Sequence, residues 1–133
     1  MRKDKRKTLG RLGESIATDY LIKNGYTILE NNFKVHRLGE IDIVAKQGES
    51  ICFMEVKTRT GDSFGIPSEA VIKQKQEKIK RLAQVYIKKN SLFEHDIRFD
   101  VVEIIVTYPA ACKNGGKHEY EVRSINLIEN AFY

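Results

Sequence analysis

The chain has 133 residues, enough for one domain with its own core. Its 41% hydrophobic and 31% charged content excludes a disordered chain, and no apolar run approaches the ~18 residues of a membrane span. The net charge of +5 is unevenly spread. Residues 1–7 carry five basic groups and one acidic, residues 73–89 carry seven and one, and the remainder nets −5.

In chain order, residues 1–7 read as a basic arm and 8–133 as a single α/β domain. Thr8 can cap a helix to about Asn24, with Leu9, Leu12, Ile16, Ala17, Tyr20 and Leu21 at helical spacing and Gly25 as its stop. Residues 26–34, 39–46 and 50–58 read as strands, the first interrupted by Asn31-Asn32. Thr60 to Pro67 is a loop, and Ser68 opens a helix to about Lys89. A Val/Ile-rich strand follows from Ile97 to Thr107, then a loop from Pro109 to Lys117 and a last strand from Glu119 to Asn126. No hydrophobic segment follows the basic N-terminus, and Cys52 and Cys112 lie far apart without a CxxC. The expectation is a cytoplasmic chain with reduced thiols, Cys52 buried in its strand, and no membrane partner.

The second and third strands carry the chemistry. Alternation places Glu40 and Asp42 on one face and Glu55 and Lys57 on another, while Ile41, Ile43, Met54 and Val56 point into a core. Pairing the strands as a hairpin crowds three carboxylates and one ammonium onto one patch. Carboxylates in contact repel unless a cation sits between them, so the pattern points to a metal site. A structural ion pair of Lys57 with Glu55 or Asp42 is the simpler alternative.

On the second helix the inward stripe of Ile72, Ile79, Ala83 and Tyr86 has no apolar residue in its first turn. Lys75 and Gln76 stand there, and Gln76 falls on the stripe. It either overhangs the sheet edge or orients water or phosphate at the patch. Glu14 lies on the border of the first helix's apolar stripe and is a further candidate. Arg59, Thr60 and Ser63, with Lys73 and Lys75, are candidate phosphate contacts. Asp100 reads as a structural hydrogen-bonding group. His36, His95 and His118 are scattered, and no zinc pair, nucleophile elbow or P-loop occurs.

Asp42 followed by Glu55-Val56-Lys57 resembles the D…(D/E)xK signature of the nuclease superfamily that includes type II restriction enzymes. The ordered set of Leu12-Gly13-Glu14, Gly25-Tyr26, Gly39 to Ala45, Glu55 to Arg59, Phe64-Gly65, Lys75-Gln76 and Arg98 to Val102 resembles the small bacterial YraN-like family, regarded as distant relatives of archaeal Holliday junction resolvases. The resemblance spans roughly residues 8–107. It implies a restriction-endonuclease-like mixed sheet flanked by helices and a Mg²⁺-dependent (or Mn²⁺-dependent) phosphodiesterase acting on DNA, branched DNA included. By the same resemblance Asp42 and Glu55 match metal ligands, Lys57 the lysine near the attacking water, Glu14 the helix glutamate of the resolvase branch and Gln76 a polar helix position. Glu40 either binds a second metal or caps its strand. Ile41 stands where many superfamily members have proline, a residue the chemistry does not require. Four-way-junction cleavage favours a homodimer presenting two sites. The alternative is a nucleic-acid-binding module that keeps the fold without cleaving.

Overall fold

A computed structural model describes residues 2–61, 73–107 and 120–132. The expected Ser63 contact, the Ser68 helix start, Ile72, the Pro109 to Lys117 loop, Cys112 and His118 lie outside these residues. The order is α1 (Arg2–Lys23), β1 (Thr27–Val35), β2 (Gly39–Gln47), β3 (Ser50–Thr60), α2 (Lys73–Asn90), β4 (Asp96–Thr107) and β5 (Glu121–Phe132). The strands form one mixed sheet in the order β1-β2-β3-β4-β5. All neighbours are antiparallel except β3 and β4, whose parallel pairing is the one that needs a long crossover, here carrying α2. No helix among the described residues is long and apolar enough to cross a membrane.

Each helix covers one face of the sheet. Ala17 and Leu21 of α1 pack with Ile43, Ala45, Cys52, Met54, Val102 and Ile104. Ile79, Leu82, Ala83 and Tyr86 of α2 pack with Phe33, Ile41, Val44, Phe53 and Val101. The Tyr86 ring meets Phe33 and Phe53 edge-on, with centroids 5.0 and 5.9 Å away. Cys52 is a fully buried thiol, as expected.

Several boundaries differ from the sequence reading. Helix α1 starts at Arg2, ahead of the expected Thr8 cap, because Arg and Lys are good helix formers that let the first turns extend. It ends as expected: Gly25 takes φ 87°, Tyr26 N–H donates to Leu21 O (2.9 Å) and Gly25 N–H to Ile22 O (3.2 Å), a Schellman closure. The last strand runs on to Phe132. Asn130, at φ 52°, bends the chain, its N–H donates to Asp100 Oδ1 (3.0 Å), and Phe132 stacks on Phe99 at 5.1 Å.

The expectation that Ile41 and Ile43 share a face fails. Asn32, at φ 55°, breaks the alternation of β1, so Asn31 bonds Thr18 of α1 while Phe33 joins the α2 core. The paired stretch of β2 follows: Ile43 faces α1 and Ile41 faces α2. Asp42 lies at the crossover.

Toward the β2–β3 turn, a polar clamp closes the α1 side. Arg98 Nε donates to both oxygens of fully buried Asp100 at 3.0 Å, Nη1 to Gln47 Oε1 (3.0 Å) and Nη2 to Tyr26 Oη (2.8 Å). Asp100 thus has the structural role its place in the strand indicates.

Helix α1 lies close against β3 at Gly13, where a Cβ would run into the Thr58 hydroxyl. Gly13→Ala should therefore destabilise by about 1–3 kcal/mol although alanine favours helix, because the neighbour must shift. Gly10→Ala, with nothing within 4 Å, should instead stabilise by roughly 0.5–1 kcal/mol. Denaturant midpoints of the two variants check the pair; equal shifts would contradict the close approach.

Candidate active site

Pairing between β2 and β3 runs from Gln47–Ser50 to Ile43–Met54, whereas β1–β2 pairing continues to Gly39 and β3–β4 pairing to Thr60. The two middle strands therefore splay beyond Ile43. Asp42 fills the opening: its Oδ2 accepts the Val56 N–H at 2.8 Å, supplying that amide with a partner where the ladder has ended. Glu55, only 2% exposed, is hydrogen-bonded to Asp42 and salt-bridged by Lys75 Nζ at 2.7 Å.

Asp42, itself half-buried, thus lies against a buried carboxyl, a contact that disfavours its charged form. Burial pushes the Asp42 carboxyl up to about 8, and the Glu55 charge and shared hydrogen bond push the same way, against the Val56 N–H. Glu14 adds to the effect. Lys57 is half-buried, and its pKa is lowered by burial and then by the Lys75 charge, against the pull of Glu55 and Asp42. Burial also pulls Lys75 down, but its bond to Glu55 outweighs this and leaves it raised. The two lysines are hydrogen-bonded to each other, and of the two Lys57 gives up its proton more readily.

Glu14 approaches from α1. It is half-buried, hydrogen-bonded to the Asn32 side chain, and raised by burial and by the charges of Glu40 and Glu55. It lines an open hollow of about 400 Å³ with Arg11, Thr18, Asn31 and Asn32. The left-handed turn at Asn32 that flips the sheet thus also holds Glu14.

The expected convergence of four carboxylates is only partly met. Asp42 and Glu55 touch, Glu14 feels their charge, and Glu40 turns to Lys34 at 3.8 Å on the exposed side. Among the described residues no three His, Cys, Asp or Glu side chains form a ready-made metal cage. Gln76 is half-buried beside Lys75, one residue further along α2. Thr60 is half-buried at the end of β3, and Lys73 is exposed. Lys75, expected to contact phosphate, is instead the ion-pair partner of Glu55.

Sequence reasoning missed two groups. The first is that role of Lys75, signalled by its place in the polar first turn of an otherwise apolar stripe. The second is Glu103, 3% exposed, whose Oε2 has no hydrogen-bond partner among the described residues and lies 3.9 Å from Arg59 Nε. Burial raises its pKa, against the Arg59 charge. It pairs in register with Lys57, and its signal was a glutamate inside the run Val101 to Val106.

The arrangement can bind a proton or a cation between Asp42 and Glu55 and can present one amine of lowered proton affinity beside them. Residues 13–104 match the profile of an uncharacterised protein family, UPF0102. Similar chains include UPF0102 proteins of Acetivibrio thermocellus, 45% identical over 98% of this chain and 95% of the relative, and of Caldicellulosiruptor bescii, 48% identical over 95% and 98%. A third, from Caldanaerobacter subterraneus subsp. tengcongensis, is 44% identical over 99% of this chain and all of the relative. With a family profile matched over most of its length and relatives matched nearly end to end, this chain belongs to the uncharacterised protein family UPF0102.

Proposed function

We propose that the chain is a metal-dependent DNA endonuclease with a restriction-endonuclease-like core, hydrolysing phosphodiester bonds in duplex or branched DNA. The observation that carries this is the contact of half-buried Asp42 with buried Glu55, with Lys57 beside it, at the mouth where β2 and β3 part. The resemblance to junction resolvases supports branched DNA and a homodimer with two sites.

The donor set fits a hard divalent cation. Two carboxyls in contact repel each other, and Mg²⁺ or Mn²⁺, which bind such oxygens and keep several waters, relieve that repulsion. Asp42 and Glu55 would hold the ion once Lys75 yields its oxygen of Glu55. A bound ion supplies charge neutralisation at the phosphate and a more acidic water. Lys57, its proton affinity lowered, orients the attacking water and takes its proton as the new P–O bond forms. The opposite P–O bond breaks, and the leaving oxygen takes a proton from solvent. Glu14 and Gln76 orient outer water, Glu40 lies at the rim for a second ion, and Arg59, Thr60 and Lys73 contact flanking phosphates.

One contact favours the alternative, a non-catalytic nucleic-acid-binding module: Lys75 already neutralises Glu55 without a metal. The two are separated by incubating labelled duplex, single-stranded, flapped and four-way-junction DNA with Mg²⁺, Mn²⁺ or EDTA. The nuclease predicts metal-dependent cleavage reduced about 100-fold or more by Asp42→Asn, Glu55→Gln and Lys57→Met. Binding without cleavage in every metal would establish the module.

A stability measurement tests the carboxyl pair separately. Asp42 keeps its proton in the folded chain up to about pH 8, whereas the unfolded chain releases it near pH 4, so folding binds a proton in between. Without divalent cation the thermal midpoint should therefore fall as pH rises from about 5 to about 8. Asp42→Asn should flatten this fall, and Mg²⁺ should restore the wild-type midpoint at the upper end. A wild-type midpoint that rises over this range, with no change in the variant, would contradict the contact.

A further inference from the structure

We propose that the groove between the β1–β2 turn and α2 holds the phosphodiester backbone of one DNA strand and leads it to the Asp42–Glu55 mouth. This deepens the nuclease reading and rests on it. Two hollows of about 720 and 310 Å³ share Leu38, Gly39, Glu40 and Lys78 in their walls, so they form one groove. One end lies at His36 and Arg37 of the turn, and the other reaches Lys75, the partner of Glu55.

The lining suits a sugar–phosphate chain. Half-buried Leu38 contributes apolar surface, against which sugars can pack, over a floor closed by the core residues Ile79 and Leu82. Lys34, Arg37, Lys75 and Lys78 contribute four cations against the single lining carboxylate, Glu40. Lys34 is engaged by Glu40 and Lys75 by Glu55. Arg37 and Lys78 are exposed and have no ion-pair or hydrogen-bond partner among the described residues, which leaves two uncompensated charges facing the groove. Lys75 and Lys78 are one helical turn apart, so they stack along the same side of α2. Phosphates are held by such positioned cations, which fix register without reading sequence.

The turn itself is held in an uncommon shape. Arg37 adopts φ 67° and Gly39 φ 131°, with Leu38 N–H donating to Val35 O at 3.0 Å. A bulky residue in left-handed conformation costs energy and persists where surrounding structure enforces it. Here it places Arg37 on the groove wall opposite Lys78.

The test measures binding in EDTA, so that no cleavage intervenes, using a labelled four-way junction and a linear duplex. For Arg37→Ala/Lys78→Ala, affinity at about 0.1 M salt should fall tenfold or more, and the slope of log affinity against log salt should shrink by about 2. In the wild-type chain, DNA should protect Lys34 and Lys78 from acylation read by mass spectrometry. Unchanged affinity and slope in the double variant, or equal acylation with and without DNA, would overturn the groove. Protection by RNA and by neither DNA would overturn the DNA assignment. The nuclease reading fails separately: groove lysines protected by DNA that is cleaved in no metal would sink the nuclease and leave the groove. Cleavage with an unchanged salt slope in the double variant would do the reverse.

Discussion

The hydrogen bond from Val56 N–H to Asp42 Oδ2 is the interaction on which the rest of the site depends. A side chain here takes an amide that the neighbouring strand no longer serves, so the β2–β3 ladder can end at Ile43–Met54 without an orphaned donor. The splay that results is what admits a carboxylate pair into the middle of a sheet. Without that bond the strands would either zip further and expel Asp42 or leave Val56 N–H buried and unpaired. Both α1 and α2 then have a gap to approach, one bringing Glu14 and the other Lys75.

The charges are balanced in a way that makes the site responsive. Burial and neighbouring negative charge raise the Asp42 and Glu14 carboxyls, burial and the Lys75 charge lower Lys57, and the bond to Glu55 raises Lys75 against the effect of burial. Such shifts, set by burial and by neighbouring charge, are common at catalytic sites and are also met in structural ion-pair networks. A divalent cation entering between Asp42 and Glu55 would release Lys75. On the proposed function, that freed ammonium lies where the groove delivers phosphate, so metal binding and strand binding would assist each other.

Much of this was legible in the sequence. The starts of β2 and β3, the Gly25 stop of α1, the burial of Cys52 and the structural role of Asp100 follow from alternation and turn chemistry. So does the candidacy of Asp42, Glu55 and Lys57, because ionisable residues inside apolar strands need a partner. What was not legible depended on a single dihedral angle. Strict period-two alternation puts Ile41 with Ile43; the left-handed residue Asn32 on the neighbouring strand accompanies their separation onto opposite faces. The Asn31-Asn32 interruption was visible, but its consequence lies on the neighbouring strand and is carried by register. The ion pair of Lys75 with Glu55, and Glu103 altogether, were missed for a related reason, since each acquires its role from an element distant in sequence.

The central claim is that the Asp42–Glu55 pair is a cation site and not a finished ion-pair network. Anomalous diffraction from crystals grown with Mn²⁺ tests it most directly. The account predicts a manganese peak bound by both carboxylates, with the Lys75 ammonium moved off Glu55, and no peak in Asp42→Asn crystals. A wild-type structure at saturating Mn²⁺ with no peak there, and Lys75 still bonded to Glu55, would contradict it.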